Sequence, residues 1–358
     1  MMPPDALRVV LGQLPQADKA ACMLVSKYLH ATVTDPSLWT RLRLCHLDST
    51  AVRFFRKALP TSLLIHDASP DDAIWFLERL VDDACHTTLV TLTISFGEVT
   101  RVPEALLFVI ARFTALETVA ITVEECEEAC LLRLPGWFTG LRRLTSLVIR
   151  EGPDDTGDPW RCERRLAVRL GAARALLPAL ESLTVVAHRS DVLTGATGLA
   201  AMPSLRRLVH LAEAETYENF TVGRGQTLDY LEVSFGEESV PDAFGEGLLR
   251  FGSIGKLVVH ARNELYLGTG VPAAEISIVM ESEAFSGSEA EIVLDYSFLT
   301  ASSDTLTRLR IDQTESSQEG WSVRIINTPT VMQCLDLLAK IKFSITQLGQ
   351  LHITPYDF

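Results

Sequence analysis

Apolar positions recur at helical spacing over the first forty-odd residues and at strand spacing from residue 89 onward. In "PPDALRVVLGQLP", Leu7, Val10, Leu11 and Leu14 fall at i, i+3, i+4 and i+7, one stripe of a helix. Pro15 ends it. Asp18 is a good N-cap for a second helix that carries Ala21, Leu24, Val25 and Tyr28. Asp35-Pro36 then supplies an N-cap followed by proline at the first helical position, predicting a short third helix with Leu38, Trp39 and Leu42. Three short helices in about forty residues sit at the size below which a domain needs a staple or a partner to stay folded. Their apolar faces must be covered by the rest of the chain, by another protein, or by both.

Beyond them an aliphatic residue, two variable ones, an aliphatic, one variable and an aliphatic recur. The copies are "LVTLTI" from Leu89, "LETVAI" from Leu116, "LTSLVI" from Leu144, "LESLTV" from Leu180, a weaker "LRRLVH" from Leu205, "LDYLEV" from Leu228, "IGKLVV" from Ile254, "LTRLRI" from Leu306 and "LGQLHI" from Leu348. Successive copies begin 27, 28, 36, 25, 23, 26, 52 and 42 residues apart, and the step of 52 is twice 26. A degenerate copy is therefore expected near "AAEISIV", Ala273 to Val279. Each copy reads as a strand that buries alternate aliphatics and turns its variable positions outward. Between them lie helix candidates at Pro103 to Phe113, Leu166 to Leu177 and Thr330 to Lys340. Linkers such as "LPALESL" and "MPSLRRL" place proline just before the next strand, where it stops a helix. The polar insertion Glu151 to Arg165 accounts for the 36-residue step, and Phe285 to Glu291 and Asp312 to Gly320 read as similar loops.

Two resemblances follow. The strand signature and its period resemble a leucine-rich repeat, without the asparagine or cysteine that commonly follows the strand, so an irregular arc is expected. Met2 to Leu42 resembles an F-box: a proline-led first helix, a leucine-proline break, a Val-Ser-Lys-aromatic segment and then Asp-Pro-x-Leu-Trp, with Met2-Pro3 where leucine-proline is usual. Together they imply an α/β chain. A three-helix F-box-like segment (1–46) precedes an irregular leucine-rich-repeat solenoid (47–358) with a parallel sheet on its concave face and helices or loops on the convex one. F-boxes dock on the Skp adaptor of cullin-based ubiquitin ligases. The resemblance thus implies adaptor contacts from Pro4, Leu7, Leu11, Leu14, Pro15, Val25, Leu29 and Trp39.

Composition narrows the function. Hydrophobic residues make up 47% and charged ones 22%, the content of a folded chain. The densest apolar run, Ala105 to Ala111, is flanked by Glu104 and Arg112 and is too short to cross a bilayer. The N-terminus lacks a secretory pattern and the seven cysteines are odd in number and unpaired in spacing, which points to the cytosol or nucleus. A net charge of -14 with no long basic run disfavours nucleic acid as a partner. No phosphate-cradling glycine loop, serine elbow or HExxH pair is present, so no catalytic residue and no cofactor is assigned. Cys126 and Cys130 in "VEECEEAC" lack the second close-spaced pair that structural zinc wants, and that stretch reads as a solvated acidic face. His188, His260 and His352 lie on or just beyond predicted strands, where each either serves recognition or simply occupies an exposed edge, the favoured reading for any single one, and the Asn219-Phe220-Thr221 sequon carries no weight without a secretory route.

The outward strand positions differ along the chain. Early strands offer Thr91, Thr93, Ser95, Thr118, Thr122, Ser146 and Thr184, small and β-favouring. Later ones offer Arg150, Tyr230, Glu232, Lys256, His260, Arg308, Arg310, Asp312 and His352, and these are the candidate target-binding residues. The reading is a non-catalytic substrate receptor, holding a Skp-type adaptor and through it cullin at one end and an unidentified target protein on the repeats. The alternative is a repeat scaffold without ubiquitin chemistry whose N-terminal helices only cap the array.

Overall fold

A computed structural model describes residues 4–33, 35, 38–82, 84–99, 102–126, 130–134, 140–152, 166–170, 177–187, 189–190, 199, 202–212, 225–235, 248–261, 264–268, 270–280, 290–313, 321–345 and 350–355. The architecture is mixed α/β, with helices at the N-terminus and one large parallel sheet.

The N-terminal helices are α1 (Pro4–Gly12), α2 (Gln16–Val25) and α3 (Lys27–Val33). The predicted second helix is split, because Ser26 takes extended backbone after α2 and its hydroxyl accepts the Leu29 N–H at 3.1 Å. Tyr28 therefore belongs to α3. The predicted third helix does not carry its apolar residues: after a short turn at Leu38, Leu42 lies on a strand, β1 (Arg41–Leu44). The alternation Arg-Leu-Arg-Leu explains this, since it buries Leu42 and leaves both arginines out, the period of a strand. A boundary at residue 46 thus falls after a strand already paired with the sheet.

Nineteen strands are described. Twelve form one sheet, every neighbouring pair parallel and the order following the chain. After β1 come β2 (Ser62–His66), β3 (Thr91–Val99), β4 (Thr118–Cys126), β6 (Ser146–Glu151), β8 (Ser182–Ala187) and β10 (Arg207–Ala212). Then follow β11 (Thr227–Phe235), β12 (Ser253–Ala261), β14 (Ala273–Met280), β16 (Arg308–Gln313) and β18 (Ser344–Ile345). The degenerate copy expected near Ala273 is β14. The remaining strands form β5 (Cys130–Leu134), β7 (Leu166–Leu170) and β9 (Arg189–Ser190) in one small sheet, and β13 (Glu264–Leu267), β15 (Ala290–Asp295), β17 (Trp321–Thr328) and β19 (Gln350–Pro355) in another.

Register explains the repeat. Leu42, Leu63, Leu92, Val119, Leu147, Leu183, Leu208, Leu231, Leu257, Ile276 and Leu309 are successive partners across the sheet, and all are buried. This ladder is the spine of the core, and truncating one member to alanine costs roughly 2–5 kcal/mol. Strand starts are tied by a second ladder. The carbonyls of Thr40, Thr61, Val90, Glu117, Thr145, Glu181 and Arg206 each accept two consecutive N–H groups of the following strand. Main-chain carbonyls thus satisfy the amides where each strand begins.

The layer behind the sheet changes character along the chain. Early on it is helical: α4 (Ser49–Ala58), α5 (Pro70–Val81) and α6 (Glu104–Ile110), with Phe55 and Phe76 edge-to-face at 6.0 Å. Asp48 and Ser69 cap α4 and α5 through their side chains. Further on it is partly β. Leu166 to Leu177, expected as a helix, begins as β7 instead, where Leu166 and Val168 alternate inward. The last copy, "LGQLHI", contributes β19 to the four-stranded sheet, and β18 takes the twelfth place in the main one. Expected helices at α6 and at Val331–Lys340, capped by Thr330, are present. Residues 153–165, 281–289 and 314–320, which include most of the three expected loops, lie outside the described residues, as do His188, Asn219 to Thr221 and 127–129 of the acidic stretch.

Candidate functional site

The open face of β10 to β16 carries the richest chemistry. Arg207, Tyr230, Lys256, Glu275 and Arg308 are successive register partners, one per strand, because each stands just before a ladder aliphatic. The Arg207 guanidinium lies 3.9 Å from the Tyr230 ring centroid and the Lys256 ammonium 6.0 Å from it. The Tyr230 hydroxyl donates to Glu232 Oε2 at 2.7 Å, and Glu232 Oε1 sits 2.8 Å from His260 Nε2. Burial alone would raise the Glu232 carboxyl, yet hydrogen bonds from His260 and Tyr230 and the charges of His260 and Arg207 hold it below the usual carboxylate range. Burial, and then the hydrogen bond to Glu232, push the Tyr230 phenol up. The cluster is therefore a locked one: an anion fixes a phenol, whose ring carries a cation. Farther along, Arg310 pairs with Asp312 at 2.5 Å.

Beneath this face is one polar residue in an aliphatic row. Ile149, Val185, His210, Val233 and Val259 are successive partners, and His210 is fully buried. Desolvation drives its pKa down to about 3, so the imidazole is neutral in the folded chain.

The N-terminal helices have two faces. Inward, Leu11, Val33, Leu38 and Trp39 join the core, and the Trp39 indole N–H donates to the Val33 carbonyl at 2.5 Å. Lys19 donates to the Leu38 carbonyl at 2.9 Å, and Arg8 pairs with Asp35 at 2.8 Å. Gln16 donates to the Arg43 carbonyl and accepts the Arg43 N–H, both at 2.7 Å. That amide imitates a neighbouring strand and satisfies the outer edge of β1. Outward, Leu24 is 90% exposed, Val25 72%, Val9 68% and Val10 49%, with Tyr28 beside them. Val9 and Val10 are neighbours on α1, and Leu24 and Val25 on α2, so each helix carries open apolar surface.

Residues 1–45 match the F-box-like family model. No curated protein is detectably similar to the chain.

Within this F-box-like segment the residues implied as adaptor contacts divide. Val25 and Pro15 are open, and Leu7, Leu14 and Leu29 are half-buried. Leu11 and Trp39 point into the core, 2% and 4% exposed, and are occupied by the chain itself. Pro4 begins α1, and its side chain is outside the described residues. Val9 and Leu24, 68% and 90% exposed, are not among the residues that the resemblance implies. Val9 stands off the stripe of Leu7, Leu11 and Leu14, an offset that could have found it, whereas Leu24 lies on the apolar stripe of the second helix and only packing shows that this stripe is open.

The candidate target residues divide too. Tyr230, Glu232, Lys256 and His260 form one cluster, and Arg308, Arg310 and Asp312 lie on the same face beyond β14. Arg150 is on β6, where its Nε donates to Thr122 Oγ1 at 3.4 Å, separated from the cluster by β8 and β10. His352 is on β19, in the other sheet, beside Arg324. Arg207 and Glu275 were missed; aligning the weaker copy and "AAEISIV" on Tyr230 would have supplied both. Among the described residues there is no group of three metal-ligating side chains, and no helix is long and apolar enough to cross a membrane.

Proposed function

We propose that the chain is a non-catalytic receptor subunit of a cullin-based ubiquitin ligase, holding a Skp-type adaptor on its N-terminal helices and a target protein on its sheet. The observation that carries this reading is the exposure of Leu24 (90%) and Val25 (72%) on a segment that matches the F-box-like family. Covering such side chains with a partner contributes about 1.5–3 kcal/mol each. The subunit does no bond chemistry; it raises the local concentration of target lysines near a charged ubiquitin carrier. We read the strand units as degenerate leucine-rich repeats, supported by the chain-ordered parallel ladder, and the compartment as cytosol or nucleus.

A specific observation also favours the capping role: Gln16 ties the helices to the first strand through Arg43, and Lys19 and Trp39 fasten them to the segment that leads into it. The two roles use opposite faces of the same helices and are compatible. Co-expression with a Skp adaptor tests the first. A one-to-one complex lost in the double variant Leu24→Asp, Val25→Asp supports it, and a monomer indifferent to adaptor leaves only the cap.

A further inference from the structure

Resting on that receptor reading, the outer row of β10 to β16 specifies what kind of segment a target presents. Three of its five residues are cations and they occupy alternate strands: Arg207 on β10, Lys256 on β12 and Arg308 on β16, with Tyr230 and Glu275 between. Arg207, Lys256 and Arg308 are exposed, whereas Val209 and Val258 on the next row inward are buried, so this row is the accessible one. Among the described residues none of the three has a carboxylate within ion-pair distance, while Glu232 and Asp312 behind them are paired. The local charge balance is thus the reverse of the chain's, whose formal net charge is -14. At physiological salt the Debye length is about 8 Å, so the row and not the distant surface sets the field a ligand meets.

Spacing gives the rest. Neighbouring strands lie about 4.8 Å apart, so cations on alternate strands stand roughly 10 Å apart. An extended segment of the polyproline type rises about 3.1 Å per residue and places every third side chain on one side at roughly 9 Å. Interior strands have their main-chain groups paired, so a segment crossing them gains nothing from strand addition and is read by side chains alone. The Arg207 guanidinium is exposed and stacked on the Tyr230 ring, and a guanidinium is the cation that can meet a planar carboxylate at two points. Glu275, between Lys256 and Arg308, would repel a doubly charged phosphate more than a single carboxylate.

We infer that this row binds an extended, unphosphorylated acidic segment of the target with Asp or Glu at every third position, one carboxylate to each of Arg207, Lys256 and Arg308. The test uses the full chain and fluorescein-labelled peptides read by anisotropy: a Glu-Pro-Ser triplet repeated three times, a composition-matched scramble, and a version with phosphoserine replacing glutamate. The triplet peptide should bind at least tenfold tighter than the scramble and the phosphopeptide. Arg207→Glu, Lys256→Glu and Arg308→Glu should each weaken it at least fivefold, with Arg53→Glu, exposed on α4 between the first two strands, unchanged. Equal binding of the scramble, preference for phosphate, or indifference to all three reversals overturns the assignment. The adaptor co-expression test separates the two readings: a chain that binds adaptor but not the triplet loses only this inference, and one that binds the triplet but no adaptor loses only the receptor role.

Discussion

The open face of α1 to α3 and the open face of β10 to β16 solve opposite problems. The helical face presents Leu24 and Val25 to solvent, 90% and 72% exposed, so it offers area. The sheet face holds Tyr230 between a carboxylate and a guanidinium at 2.7 Å and 3.9 Å, so it offers direction. An adaptor that every subunit of a kind must share is suited by area, whereas choosing one target among many is suited by pre-oriented charge. Gln16 joins the two, since its amide fastens the helices to the edge strand of the same sheet.

The largest effect should separate the two sides of the helices. Leu11→Asp places a carboxylate where the chain is 2% exposed and should cost roughly 4 kcal/mol or more of folding stability. Leu24→Asp with Val25→Asp should leave the melting temperature within about 2 °C of the parent, as surface changes do. Adaptor affinity should nevertheless fall at least 100-fold, about 2.7 kcal/mol. Differential scanning fluorimetry and titration calorimetry on the same samples check both. Equal destabilisation by the two changes would mean that the helices have one buried face and no docking face.

Acid should act on the sheet before the helices. His210 is fully buried, and its pKa is pushed down to about 3 in the folded chain against 6.5 in an unfolded one. The unfolded chain therefore binds the extra proton, and stability present above pH 6.5 is lost progressively as pH falls toward 3. The loss should reach about 2 kcal/mol by pH 5. His210→Val, which restores the aliphatic row, should flatten the pH dependence of urea unfolding between pH 7 and 5. A profile unchanged in that variant would show that another group sets acid stability.

How much of this was legible depends on which force wrote the pattern. The main sheet was legible because aliphatics such as Leu92, Leu147 and Leu231 sit at one fixed offset in every copy, and burial dictates that offset. β1 was not, because Trp39 and Leu42 are also three apart, and a helical reading of so short a run competes with the strand reading until the sheet supplies a partner. β7 was hidden for the same reason, whereas the copy that forms β19 is legible as a strand but its aliphatic spacing does not say which sheet it joins. The candidate site was half legible. Tyr230, Glu232, Lys256 and His260 were visible as polar residues at outward positions, but their union with Arg207 depends on register across strands. Which face of α1 and α2 stays open depends on tertiary packing, so Leu11 and Trp39 read as contacts when they are core.

A smaller effect should come from the joint between the two faces. Gln16→Ala removes both 2.7 Å bonds to Arg43 and exposes the edge of β1, and should cost about 1 kcal/mol. Amide exchange should accelerate at Arg43 while β11 and β12 keep their protection. Acceleration throughout the sheet would show that the helices hold up the whole array and not merely its edge.

The smallest effect bears most directly on whether the sheet face is pre-oriented. Tyr230→Phe keeps the ring under Arg207 and removes only the hydroxyl that donates to Glu232. Stability should fall by about 1 kcal/mol or less, because Glu232 keeps its 2.8 Å bond to His260. The Glu232 carboxyl, held down in part by that hydroxyl, should titrate at higher pH in the variant, which carboxyl-carbon NMR reads directly. If the triplet peptide then binds as it does to the parent, the stacked ring alone orients Arg207. Weakening of severalfold at unchanged stability means that the chain from His260 through Glu232 to the phenol holds the cation in place, and that the face reads its target through a preset geometry and not through charge alone.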